Sequence, residues 1–313
     1  LHTVHVVVIG AGAMGTLLAG YLQEGGLRAT IVAHHARQAE AINEHGLSIE
    51  GVRGSMRVFV PAVLDARECA PADLILVCVK AYDTGAALAQ HESVFANGQV
   101  LTLQNGIGNV EVIARRVPPM RILAGTTTLG ANLVEPGVVI HAGEGQTFIG
   151  PAADIDEEPA LEIAEVLSHA GIVTTVAVNI NELLWQKLCV NAAINAQTAL
   201  LRVRNGALAD LAPPRELMRA AVLETVAVAA VQGVTLDADE MIERAVRTAE
   251  LTGENRSSML MDILRERRTE IEYINGAVVR LGEQVGVDTP VNRVLSHLVT
   301  TLELTYDRRV KTN

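Results

Sequence analysis

Six residues near the start of the chain, Gly10-Ala11-Gly12-Ala13-Met14-Gly15, limit the possible folds more than any other stretch. They fit G-x-G-x-x-G, a pattern that is weak alone. Here it follows Val4-His5-Val6-Val7-Val8-Ile9, a β-branched run that reads as a buried strand. Ala13 to Glu24 then reads as a helix closed by Gly25-Gly26. Strand, glycine turn and helix together form the context in which the pattern means dinucleotide binding. Gly10 permits the tight turn, Gly12 lets the backbone approach a pyrophosphate, and Gly15 lets the helix lie close to the strand. The phosphates would rest on free N–H groups at the helix N-terminus. The opening apolar run has neither a cationic leader nor a cleavage site, so it is expected to be a first strand and not a signal peptide.

The pattern that follows is the alternation of a doubly wound parallel sheet. Arg28 to Ala33, Asp73 to Val79 and Gln99 to Leu103 read as further buried strands. From Arg121 to Gly150 the chain is rich in Gly, Thr and Val, with a Glu135-Pro136-Gly137 turn. Extended strands are expected there, with a hairpin added to the sheet. Ala160 to His169 reads as a helix and Ile172 to Val178 as a last strand. Beyond them Asn181 to Arg202, Arg215 to Gln232, Ala238 to Leu251, Ser257 to Val285 and Arg293 to Thr305 all read as helices. The expected fold class is α/β: a Rossmann-type dinucleotide-binding domain over residues 1–178, then an all-helical substrate domain over 179–313. A chain of 313 residues suits two domains.

Composition narrows the function classes. Apolar residues make up 49% of the chain and aromatics 3%, so aliphatic side chains must do the packing. A net charge of −11 repels phosphate backbones and anionic lipid, so neither nucleic acid nor membrane is an expected partner. No apolar stretch approaches the roughly 20 residues of a membrane span. Cys69, Cys78 and Cys189 show no metal-ligand spacing, so no metal is expected, and a reducing cytoplasm fits them.

The end of the second strand bears on the cofactor. An NAD site usually places Asp or Glu there to accept from the ribose 2′-OH. This chain has Ala33-His34-His35-Ala36-Arg37. His34 and Arg37 suit a 2′-phosphate, so NADP(H) is favoured, with NAD(H) the alternative. Two other strand ends carry polar residues, Lys80 and Asn105, on the edge where ligands bind in such sheets.

Three polar residues in the second half stand in an apolar helix. In Leu183 to Ala196, Lys187, Asn191 and Asn195 recur every four residues, one stripe down one face. Buried amines and amides need partners, and a polar ligand in a cleft would supply them. Burial also lowers a lysine pKa, which makes Lys187 a candidate proton donor. A third cluster comprises Asn255, Ser257, Ser258 and Glu270. Ser257 or Ser258 could instead cap a helix, and Arg265 to Arg268 reads as a solvated face.

These clusters together resemble the ketopantoate reductase (2-dehydropantoate 2-reductase) family. The likeness runs through GAGAMG, VKAYDT, LQNGIGN, GTTTLGA, PGVVIHAG, KLCVNAAINAQTAL and NRSSMLMDILRERRTEIEYINGAVV. It implies a Rossmann domain followed by a helical domain, with the active site in the cleft between them. It also implies NADPH-dependent reduction of a small 2-oxo acid, with Lys187 as the catalytic proton donor and Glu270 holding the substrate hydroxyl. Ser258 would bind the substrate carboxylate. Asn191, Asn195, Asn205 and Asn255 would be substrate-site amides, and Lys80 and Asn105 would lie beside the nicotinamide and substrate. The family commonly has an arginine where this chain has His34, which puts strict NADP specificity in question. Rival readings are a relative acting on another 2-oxo or 2-hydroxy acid, and a non-enzymatic NADP-sensing protein. The Ala- and Val-rich helices of the second half suit a homodimer interface as well as they suit a core.

Overall fold

The computed structural model describes residues 4–69, 71–153 and 156–309. Its contacts form two compact units. One holds the chain through Gln104 together with Asn109–Ile180, and the other holds Asn105–Gly108 and the chain from Asn181 onward. The expected division at residue 178 had left residues 105–108 in the first domain.

The first unit contains, in chain order, β1 (His5–Ile9), α1 (Ala13–Glu24), β2 (Arg28–Val32), α2 (Ala36–His45), β3 (Leu47–Gly51), β4 (Gly54–Val58), β5 (Ala62–Val63), β6 (Leu74–Val77), α3 (Thr84–Gln90), β7 (Gln99–Thr102), α4 (Asn109–Ile113), β8 (Ile122–Thr127), β9 (Gly130–Glu135), β10 (Val138–Gly143), β11 (Thr147–Pro151), α5 (Glu158–His169) and β12 (Thr174–Val176). The main sheet has eight strands in the order β12-β11-β8-β7-β6-β1-β2-β5. From β5 to β8 every pairing is parallel, and β11 joins antiparallel to β8. Central β1 has a neighbour on each side and is buried along its whole length. That is why Val6 to Ile9 are apolar without alternation, while buried His5 is met by Thr30 Oγ1 3.0 Å from its Nε2. Val6 and Val8 pack with Leu17 and Leu18 of α1, whereas Val7 and Ile9 pack with Leu88 and Phe95 on the other face.

The hairpin around Glu135-Pro136-Gly137 forms as expected, but it does not extend the main sheet. Its strands β9 and β10 join a second sheet in the order β4-β3-β10-β9, while β8 and β11 take the edge of the main one. β3 and β4 carry no strand signal in sequence, because LSIEG and GSMRV lack an apolar run. A buried polar contact ties α1 to this sheet. The Tyr21 hydroxyl lies 2.6 Å from His141 Nδ1, and the Arg53 guanidinium stacks over the Tyr21 ring while pairing with Glu144.

The second unit contains α6 (Ile180–Leu201), α7 (Gly206–Asp210), α8 (Ala212–Val231), α9 (Ala238–Leu251), α10 (Ser258–Leu264), α11 (Asn275–Val285) and α12 (Pro290–Leu304). Helix α6 is apolar nearly all round because it is covered on two faces. Leu188, Ala192, Ala196 and Ala199 pack with Val228, Val278 and Val299, whereas Cys189, Ala193 and Ile194 pack with Leu208, Met218 and Met241. The single helix expected from Ser257 to Val285 is broken. It stops at Leu264, passes through a short 3-10 turn at Ile271–Tyr273 and restarts at Asn275. The run Arg265 to Arg268 is exposed, as expected, but it sits in the interruption, where Glu266 has φ +52°. Asn275 fixes the restart: its Nδ2 donates to Ala192 O at 3.0 Å and to Asn292 Oδ1 at 2.9 Å. Among the described residues no helix is long and apolar enough to cross a membrane.

Candidate active site

The glycine turn of the first unit shows why each of its glycines is there. A Cβ on Gly10, which has φ +111°, would lie 2.8 Å from Val79 N, so the turn and the β6 end could not meet. A Cβ on Gly15 would lie 2.0 Å from Gly10 O, so the first turn of α1 sits directly on the loop. Gly12 differs: its Cβ would meet nothing nearer than Cys78 O at 4.0 Å. The protein itself leaves room over Gly12, the N-cap of α1, which bears no acidic side chain in its first turn. Open space above a helix N-terminus with unpaired N–H groups fits a pyrophosphate. Ala11 is fixed from outside the motif, because Gln38 Nε2 donates to its carbonyl oxygen at 2.9 Å. Nothing in the local sequence signals that bond across 27 residues.

His34 and His35 follow β2, both exposed, with ring centroids 4.6 Å apart. His35 is also the N-cap of α2, and Arg37 lies exposed in that helix's first turn. Arg37 lines a surface concavity of about 470 Å³ with His45, Ser48, Arg57 and Glu135, which does not include the glycine turn. Lys80 follows β6 and is half-buried. The backbone just before it is held by Gln104, a buried residue to which the strand-end motif alone assigns no role. Gln104 Nε2 donates to Val79 O at 2.7 Å and to Thr84 Oγ1 at 2.8 Å, and its Oε1 accepts from Thr102 Oγ1 at 2.9 Å. A glutamine directly after the buried run Val100-Leu101-Thr102-Leu103 was the available signal.

In the second unit the structure brings Lys187, Glu270 and Asn105 together. Lys187 lies on α6, with Asn191 half-buried and Asn195 buried one and two turns further along. Burial pulls the Lys187 amine down to about 8, opposed by the negative charge of Glu270. The residue keeps some accessible surface, but dense protein around the amine replaces the water that would stabilise its charge. Glu270, itself buried, stands at the break between α10 and α11 and accepts from Asn105 Nδ2 at 3.3 Å. That break is what turns Glu270 inward; a continuous helix would have run past it.

The loop carrying Asn105 is seated on the same break. Ile107 N donates to Tyr273 O at 2.9 Å, and a Cβ on Gly106, which has φ +83°, would lie 2.1 Å from Tyr273 O. Only glycine lets the two backbones approach this closely. The two serines divide their work. Ser257 is buried and caps α10, accepting from Leu260 N at 3.0 Å while its hydroxyl lies 2.7 Å from Thr198 Oγ1. Ser258 follows it, exposed, as does Asn255 before it. Asn205 is placed differently from the other amides. It clamps two loops, its backbone N–H donating to Asn255 O at 3.1 Å and its Nδ2 to Thr252 Oγ1 at 2.9 Å. Its buried Oδ1 has no partner among the described residues.

Comparison with known proteins now adds to this geometry. A family model described as Ketopantoate reductase PanE/ApbA matches residues 6–154, and one described as Ketopantoate reductase PanE/ApbA C terminal matches residues 179–303. The chain is 40% identical over 295 residues to the 2-dehydropantoate 2-reductase of Halobacterium salinarum, covering 94% of this chain and 97% of the relative. Among solved structures it is similar to D-mandelate dehydrogenase with NADH and anilino(oxo)acetate, with a TM-score of 0.93 and 31% identity, over 97% of this chain and 100% of that one. It is similar as well to 2-dehydropantoate 2-reductase from Geobacter metallireducens, with a TM-score of 0.90 and 28% identity, over 95% of this chain and 99% of that one.

Proposed function

The chain belongs to the ketopantoate reductase family, a family of oxidoreductases, and from that premise we propose that it reduces 2-dehydropantoate to (R)-pantoate with NADPH. The cofactor, when bound, supplies the hydride. Gly10, Ala11, Gly12, Ala13, Met14 and Gly15 hold its pyrophosphate, His34 and Arg37 its adenosine end, and Lys80 lies toward its nicotinamide. Lys187 donates a hydrogen bond to the keto oxygen and passes it a proton as the alkoxide forms. The Glu270 carboxylate accepts from the substrate hydroxyl and helps keep Lys187 charged. Asn105 steadies Glu270, Asn191 and Asn195 offer amides to the substrate, and Ser258 with Asn255 receives its carboxylate. The clamping bonds of Asn205 favour a role in shaping those loops over direct contact.

The observation that carries this reading is the Lys187 amine, pulled down to about 8 beside Glu270. An ammonium with that pKa is mostly charged at neutral pH and so can polarise a carbonyl. It is also a stronger acid than an ordinary lysine, and so a better proton donor.

One observation favours a second reading. The D-mandelate dehydrogenase that the chain resembles was solved with NADH, and this chain lacks the arginine common after the second strand. On that reading the substrate is a 2-oxo acid with an aryl group, and the cofactor NADH. Steady-state oxidation of NADPH and NADH against a panel of 2-oxo acids separates the two. We expect kcat/KM for ketopantoate with NADPH to exceed that for phenylglyoxylate with either cofactor by about tenfold or more. The reverse order would overturn the proposal in favour of the second reading.

A further inference from the structure

The break that turns Glu270 inward leaves backbone groups without helical partners. In an unbroken helix the Thr269 N–H would donate to the carbonyl four residues back. Here the helix has ended at Leu264, and Thr269 is buried, so water cannot replace the bond. The far end of the chain supplies the partner. Glu303, in the last turn of α12, accepts from Thr269 N at 2.8 Å across 34 residues. Just beyond α12, the Tyr306 hydroxyl donates to Arg267 O at 2.8 Å. The Arg309 guanidinium stacks over the Tyr306 ring at 4.5 Å and pairs at 3.9 Å with Glu266, the residue at φ +52°. Thr269 passes the hold on, because its Oγ1 accepts from Ile271 N at 3.1 Å. Glu270 therefore stands between two residues whose backbone N–H groups are both fixed, one of them from α12.

We propose that Glu303 and Tyr306 are positioning residues for Glu270: they strap the chain between α10 and α11 to the end of α12, and so set the Glu270 carboxylate against Lys187 and Asn105. The inference rests on the role given to Glu270 above and adds the part of the chain that keeps its carboxylate in place. Neither Glu303 nor Tyr306 touches the substrate. A segment without helical bonds of its own takes its stiffness from its anchors. The anchor at Thr269 lies one residue from Glu270 and ends on a carboxylate, so it is charge-assisted and stronger than a neutral pair. Without it the buried Thr269 N–H is unsatisfied. The segment relieves that cost by swinging the N–H toward water, and Glu270 moves with it. The bond from Asn105 to Glu270 is already 3.3 Å long and has little slack. A shift of about 1 Å at a reacting group can cost up to about 10² fold in rate.

Full-length Glu303→Ala, Glu303→Gln and Tyr306→Phe, each made alone and on top of Glu270→Ala, test the proposal with the 2-oxo acid that ranks first in the panel above. We expect Glu303→Ala to lower kcat/KM about tenfold and Tyr306→Phe about threefold. In the Glu270→Ala background each should cost less than about twofold, because no carboxylate is left to place. Glu303→Gln keeps an oxygen for the Thr269 N–H and should recover most of the loss. Glu303→Ala should also move the alkaline fall of kcat to lower pH, since a displaced Glu270 no longer holds charge on Lys187. Tyr306, pushed up to about 12 by burial, keeps its proton through that range and adds no slope. Tyr306→Phe removes one oxygen from a partly exposed ring, and it carries the test if Glu303→Ala lowers Tm too far to assay. The same fold-loss with and without Glu270, or wild-type kcat/KM in both Glu303→Ala and Tyr306→Phe, overturns the strap and leaves the role of Glu270 standing. Wild-type kcat/KM in Glu270→Ala itself overturns that role, and the strap with it.

Discussion

The glycine turn of the first unit and the polar stripe of the second are built by opposite means. The turn works by lacking side chains. Gly10 and Gly15 close the fold on itself, with notional Cβ contacts of 2.8 and 2.0 Å, and Gly12 alone leaves space for a ligand. The stripe works through side chains placed where water is scarce, so that the Lys187 amine is pulled down to about 8 and the Glu270 carboxylate is buried beside it. A site made of backbone geometry is set by contiguous residues. A site made of buried charge depends on segments 83 and 165 residues apart in sequence, as in the bonds from Asn275 to Ala192 and from Asn105 to Glu270. Damage to the first should therefore appear in cofactor binding, and damage to the second in turnover.

The largest expected effect breaks the second site and spares the first. Lys187→Ala should lower kcat by about 10²–10⁴ fold. NADPH affinity, measured by fluorescence titration, should change less than about twofold, since the proposal assigns the cofactor phosphates and adenosine to the first unit. Loss of NADPH binding in that variant would erase the division of labour. The converse variant is Gly12→Val. Its Cβ has room within the protein, so Tm should be nearly unchanged, while the branched side chain fills the space proposed for the pyrophosphate. NADPH affinity should then fall about 10² fold, on the order expected when close backbone approach to the phosphates is blocked. Wild-type affinity in a folded Gly12→Val protein would show that the phosphates lie elsewhere.

Smaller effects sharpen the account of the second site. Glu270→Gln keeps the shape and the bond from Asn105 but removes the charge, and should lower kcat/KM about 10–10² fold. Since Glu270 raises the Lys187 pKa, its loss should also move the alkaline fall of kcat to lower pH. An unmoved pH profile would uncouple the two residues. Gly106→Ala should have the least effect on catalysis. The added Cβ meets Tyr273 O in a backbone conformation at φ +83°, so stability should drop by about 1–3 kcal/mol in a denaturant titration and kcat/KM several-fold. Full stability there would mean that the loop does not need its close seat on Tyr273.

The same contrast governs what could be read from the sequence. β1, the turn, α1 and β2 are legible because short-range pattern decides them: an unbroken apolar run, three glycines at fixed spacing, an apolar helix. Helix α6 and its stripe are legible for the same reason, since polar residues every four positions stand out in a largely apolar segment. The break around Glu270 was not. No Gly or Pro lies between Ser257 and Asn275, and Arg265 to Arg268 reads as an ordinary solvated helix face. What interrupts the helix is tertiary: Asn275 bonded to α6, and the loop at Gly106 occupying the space against Tyr273. The other half of the second sheet, β3 and β4, is not legible because half its residues face water and its low apolar content hides the strands. Gln104 and Gln38 were missed because each acts on a backbone carbonyl more than 20 residues away.

The most direct test of the central claim, that Lys187 carries the proton the substrate receives, is the pH dependence of kcat for NADPH-driven reduction in wild type and in Lys187→Arg. Reduction needs the ammonium form, so wild-type kcat should be level below about pH 8 and fall about tenfold per pH unit above the Lys187 pKa of about 8. A guanidinium stays charged throughout that range. The Arg variant should therefore be slower at neutral pH but show no fall up to pH 10. A wild-type profile level to pH 10, or the same alkaline fall in both proteins, would contradict the account.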